Sequence, residues 1–218
     1  MSHKFQPATE VGRVADGAGI LVELISARDP DRGAALRPLA EISATASAAA
    51  RAAAKDEMLS PVGKREATRR ALQAARSALR PHEAEVEARR SRADVTRGLA
   101  LDGWGGKPAP EAVREVRDEI RRRKIDPIQV GADLLAAVES GDATYFRAVV
   151  DAPRAFPLTT DDRIEQARDL AVTRSSLGRR YEGECADAGE LATVASAVRG
   201  ELGKLAAANQ LALEALGE

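Results

Sequence analysis

The chain holds one cysteine, Cys185, in 218 residues. One thiol rules out an internal disulfide and a thiolate metal cluster within a single chain. Histidine is almost as scarce, and His3 and His82 are too far apart in sequence to form a metal-ligand spacing. There is no GxGxxG, no GxxxxGK[ST] and no GxSxG, so the usual phosphate cradles and nucleophile elbow are missing. Nothing approaches eighteen consecutive apolar residues, and no membrane span is expected. The start, MSHKFQPATEVG, lacks the apolar stretch of a secretory signal, so the expected compartment is a reducing cytoplasm. Aromatics make up only 3 % of the chain: Phe5, Trp104, Tyr145, Phe146, Phe156 and Tyr181. Large rings supply much of a thick globular core, so thin helical layers are expected instead. The formal net charge of -1 gives no global attraction to nucleic acid or to an anionic membrane.

What the chain does have is alanine, about a fifth of its residues, with 31 % charged side chains. Alanine loses no side-chain entropy in a helix and has the best intrinsic helix propensity. The heavy use of Ala and Arg also points to a high-GC genome, bacterial or of a bacterial virus. The clearest pattern lies near the C-terminus, where Leu191, Ala195, Val198, Leu202, Leu205, Asn209, Ala212 and Leu216 recur in alternating steps of four and three. That spacing keeps one narrow stripe turned towards a neighbouring helix, and a polar Asn209 inside it is a candidate for fixing register or partner number. The stripe is a candidate association seam. The neighbour can belong to the same chain, for instance the stripe Leu72, Leu79, Val86 and Ala93, or to another subunit.

Residues 1–35 read as an N-terminal arm with one small ordered element, Gly19–Ile25, too short for periodicity to assign as helix or strand. Order along such an arm would suggest docking on another subunit. Residues 36–100 form a long helical segment. Its first part, 36–58, is rich in small side chains from Ile42 to Ala50, and Ser60-Pro61 is a cap-and-start signal. Pro81 either kinks a long helix or divides it near Arg80. Three glycines and two prolines make 101–110 a loop, in which Trp104 is best read as a plug pinning the loop to a helix. Residues 111–178 form a short-helix core, with starts at Asp126-Pro127, Gly141-Asp142 and Thr159–Asp162, and with Tyr145, Phe146 and Phe156 as its aromatic content. A coiled-coil-like helix occupies 186–218. The fold expected is all-α: an elongated helical bundle with long helices, a short-helix core and an arm.

Charge is polarised along the chain. Ser60 to Arg97 carries ten Lys/Arg against five acids, and Glu182 to Glu218 carries seven acids against two bases. Lys64, Arg65, Arg69, Arg70 and Arg76, with the run Arg121, Arg122, Arg123 and Lys124, are candidate nucleic-acid contacts. The competing explanation, self-complementary packing of basic on acidic helices, is favoured because the basic stretch lacks aromatic platforms for bases. Carboxylate pairs such as Asp161 and Asp162 are better read as first-turn residues favouring the helix dipole than as acid/base groups. Cys185, flanked by Glu184 and Asp187, sits in a field that opposes its thiolate. No catalytic, metal or cofactor-binding residue emerges.

Two strings carry a likeness. One is Asp56-Glu57-Met58-Leu59-Ser60-Pro61-Val62-Gly63-Lys64, opening a charged helix. The other is Glu139-Ser140-Gly141-Asp142, followed by Tyr145-Phe146-Arg147-Ala148-Val149 and Asp151-Ala152-Pro153. Together they resemble small helical proteins from the head and neck gene region of tailed bacteriophages, over about half the chain. The resemblance implies a non-enzymatic structural or assembly role in a virion put together in the bacterial cytoplasm. It implies other protein subunits as partners, as a homo-oligomer or within a larger assembly, and no cofactor or membrane. It transfers no functional residue.

Overall fold

Helix accounts for about five sixths of the backbone between Asp16 and Leu211, the residues that the computed structural model describes; residues 1–15 and 212–218 lie outside that range. Eight α-helices and no strand occur among the described residues: α1 Asp16–Arg28, α2 Pro30–Lys55, α3 Pro61–Gly103, α4 Pro110–Arg123, α5 Pro127–Ser140, α6 Ala143–Val150, α7 Asp161–Arg174 and α8 Gly178–Ala208. The fold is all-α. Two compact units divide it, one of residues 1–89 and 187–218, the other of residues 90–186. Helices α3 and α8 each contribute to both.

In the first unit α1 and α2 form a tight hairpin. Asp29 ends one helix and caps the next, its side chain accepting from the Arg32 N–H at 3.1 Å, with Pro30 in the first turn where its missing N–H costs nothing. The helices touch closely at Gly33, where an added Cβ would stand 2.6 Å from the Cα of Ser26. So the described part of the expected arm, residues 16–35, is body rather than arm: Ala18, Val22 and Gly33 are buried. The apolar run Gly19–Ile25 is helical.

Small residues on α2 set its packing. Ala40, Ser43, Ala46, Ser47, Ala50 and Ala53 are buried, and Ser43 Oγ donates to the Ala40 carbonyl at 3.1 Å. Pro38 lies within this helix without ending it. On α3, Pro81 likewise leaves one continuous 43-residue helix, with its ring exposed. Ser60 caps that helix as its sequence suggests, accepting from the Gly63 N–H at 3.1 Å. Arg65 donates to Gln210 at 3.3 Å and Arg199 to Glu83 at 2.9 Å, so α3 and α8 run antiparallel here. Glu201 on α8 is 5 % exposed, and its Oε1 accepts from the Ala18 N–H at 2.7 Å. A carboxylate at the first turn of α1 satisfies an orphan donor and meets the positive end of the helix dipole.

The second unit is built from short helices with readable punctuation. Lys124 ends α4 in the left-handed region (φ 51°), and the Asp126 side chain caps α5, accepting from the Ile128 N–H at 2.7 Å. Gly141 ends α5 at φ 78°, and Asp142 caps α6 by accepting from the Tyr145 N–H at 3.0 Å. Trp104 is the plug its setting suggested: it is buried against Phe146, with ring centroids 4.8 Å apart. Gly105 beside it has φ 66°, and an added Cβ would lie 2.5 Å from that of Ala143, so only glycine fits the turn. Val130, Leu134, Val138, Val149 and Ala167 complete this core. Phe156, expected within it, is instead 68 % exposed. Helix α8 starts at Gly178, eight residues before the start expected from sequence.

Candidate functional site

Five of the eight seam residues, Leu191, Ala195, Val198, Leu202 and Leu205, are buried in the core of the first unit. Their companions there are Val22 of α1, Leu36 and Leu39 of α2, and Leu72, Leu79 and Val86 of α3. The heptad is therefore occupied within its own chain. Asn209 lies just past the end of α8, half-buried, and its amide donates to the Leu205 carbonyl at 2.8 Å. That bond is local to the end of α8. Ala212 and Leu216 lie outside the described residues. The matching seam on α3 is longer than its leucines suggest. Thr68, Leu72, Ala75, Leu79 and Val86 are buried, with His82 half-buried at the next heptad step. Thr68, Ala75 and His82 alternate with the large residues, and their small or polar character hid them from a hydrophobic pattern.

The basic residues divide into two groups. Along α3, Lys64 Nζ donates to the Ala54 carbonyl at 2.9 Å, Arg65 reaches Gln210, and Arg70 pairs with Glu66 at 3.5 Å. Arg76 also has a partner within the chain, and Arg69 is exposed. Between helices, Arg32 pairs with Asp187 at 2.5 Å and with Glu190 at 3.4 Å. Arg32 of α2 thus meets two acids of α8, whereas between α3 and α8 the pairing of Arg199 with Glu83 puts the base on the acidic stretch and the acid on the basic one. At the C-terminus of α4, Arg122 and Arg123 both bind Glu119, while the Arg121 guanidinium sits 6.0 Å from the centroid of the Phe156 ring.

The second unit holds a group of ionisable side chains shared by α3, α7 and α8. Arg97 of α3 donates to Glu165 at 2.7 Å and to Asp169 at 2.8 Å, both on α7. The Arg97 hydrogen bond, helped by Arg168, holds the Glu165 carboxyl below the usual carboxylate range. On α8, Glu184 is lowered by hydrogen bonds from Thr96 and Arg180. The Tyr181 phenol is pushed up to about 12 by its hydrogen bond with Cys185 and by burial, so it stays protonated at neutral pH. Cys185 itself is exposed. Hydrogen bonds and ion pairs tie α3 to α7, and Glu184 Oε2 on α8 is buried without a hydrogen-bond partner; the cluster is a fastening. Replacing Arg97 with alanine should cost about 1 kcal/mol, because its partners are half exposed to water. Glu165 is lowered in the folded state, so its contribution is present above the ordinary carboxylate pKa and is lost as pH falls through the lowered value. Urea midpoints of wild type and Arg97→Ala should accordingly converge below about pH 4.

Asp161 and Asp162 occupy the exposed first turn of α7, where acids favour the dipole. No group of three or more His, Cys, Asp or Glu arranged to hold a metal occurs among the described residues. Nor is any helix among them long and apolar enough to cross a membrane. An open groove of about 230 Å³ runs between α1 and α2, lined by Val22, Glu23, Arg37, Ala40 and Glu41. No protein-family model, no curated protein and no solved structure matches this chain.

Proposed function

We propose that this chain is a non-enzymatic assembly component of a bacteriophage particle, a head, neck or internal protein, which works by docking helix faces onto other subunits. The observation that carries the reading is on α1. Ile20 and Leu24 lie one turn apart and are 57 % and 61 % exposed. Ala27 extends the same outward face and is exposed too. The opposite face, through Ala18 and Val22, is buried in the first unit. A helix that is apolar on nearly every side ordinarily has neighbours on nearly every side. Here the chain covers one side and leaves the other for a neighbour. The virion setting rests on the likeness of Asp56–Lys64 and of Glu139–Pro153 to phage head and neck proteins.

The test is assembly itself. Expressed with the capsid and portal proteins of its own genome, the wild-type chain should be retained on purified particles. The double variant Ile20→Glu, Leu24→Glu should be lost from them while keeping its helical circular dichroism. Particles that form normally and never retain the wild-type chain would overturn the reading.

A further inference from the structure

We infer that the corner formed by Phe156 and the end of α4 binds single-stranded nucleic acid, the ring stacking on a base and the surrounding cations holding phosphates. This does not rest on the assembly role. Sequence separates the ring from the basic run Arg121–Lys124 by more than thirty positions; the fold brings them together. Thr159 Oγ1 donates to the Pro127 carbonyl at 2.8 Å, lashing the loop before α7 to the start of α5, just beyond that basic run. Three residues earlier, the Phe156 N–H bonds to the Pro153 carbonyl at 2.8 Å, closing a turn bounded by Pro153 and Pro157. The turn is anchored by buried Leu158 and Thr159 and presents a Phe ring that is 68 % exposed.

The chemistry of the corner fits a polyanion with flat apolar faces. Arg121 lies 6.0 Å from the ring centroid, Lys124 is exposed at the helix end, and Arg154 is exposed in the same turn as the ring. Among the described residues these three cations have no carboxylate partner, in contrast to Arg122 and Arg123, which share Glu119. Fixed aromatic platforms beside uncompensated cations are how sequence-tolerant single-strand binders work, since every base has a π face and every nucleotide a phosphate. A duplex buries its base faces in the stack and would leave the ring without a partner. An acidic protein surface would use the cations but not the ring.

A fluorescein-labelled 15-nucleotide oligothymidylate is the probe, read by anisotropy against the full-length protein at several salt concentrations. Saturable binding is expected, weakening with salt with a log–log slope of about 2 for three phosphate contacts. Phe156→Ala should weaken it tenfold or more and Phe156→Trp should preserve it, with circular dichroism unchanged in both because the ring is exposed. Arg121→Ala with Lys124→Ala should flatten the salt slope. Absence of binding at low salt, a duplex of equal length binding more tightly, or full affinity in Phe156→Ala would each overturn the proposal.

Discussion

Leu202→Glu is expected to unfold the helical body around it rather than to dissociate an oligomer. Leu202 is 3 % exposed and packs among Val198, Leu205, Leu72 and Leu79 in the core of the first unit. Loss of the leucine contacts alone costs about 2–5 kcal/mol, and burying an unpaired charge adds to it. Much of the stability of an ordinary domain is of that size. Circular dichroism should show most of the helix signal lost or a melting point lowered by more than about 10 °C. Light scattering on whatever remains folded should give the same mass as wild type. A well-folded variant of reduced mass would mean instead that Leu202 faces another subunit.

Phe146→Ala should be the most damaging single truncation in the second unit. Phe146 is 1 % exposed, packs on Trp104 and lies under the Arg147 guanidinium, which is 5.8 Å from its ring. Arg147 in turn donates to the Leu101 carbonyl at 2.7 Å, so ring and guanidinium together fasten the Trp104 loop. Removing a buried Phe side chain costs about 3–5 kcal/mol, and a site closed by a tryptophan has little room to collapse into the cavity. The expected readout is an unfolding free energy, taken from urea transitions, lowered by that amount, with a red-shifted Trp104 emission as its loop comes free. Phe146→Leu, which keeps most of the volume, should lose far less. An unshifted tryptophan spectrum in Phe146→Ala would show that the loop is held by something else.

The parts of this fold that sequence made plain are those with local chemistry. Ser60-Pro61, Asp126-Pro127 and Gly141-Asp142 each fix a helix end through a side chain or a backbone angle within a few residues, and each end lies where they place it. Boundaries governed by tertiary contacts were hidden. Asp16–Arg28 lacks a helical stripe because α1 is apolar on several sides, so nothing in its pattern separated body from arm. The heptad stripe begins only at Leu191, yet α8 starts at Gly178. Pro38 and Pro81 sit inside helices because surrounding packing outweighs one lost hydrogen bond. The heptad of α8 was visible, but a spacing says only that a stripe is covered, never by whom. Phe156 was visible as an aromatic and not as an exposed one, because its direction is set by a turn tied to Pro127.

The claim on which the rest depends is that the α8 heptad is sealed against α3 of its own chain. Cysteines placed at Glu83 and Arg199, whose side chains bond at 2.9 Å, test it most directly in a Cys185→Ser background with a short bis-maleimide. The cross-link should form within single chains, in yield independent of protein concentration, and tryptic mass spectrometry should join the two peptides in a species of monomer mass. Covalent dimers as the main product, rising with concentration, would contradict it and return the seam to a partner subunit.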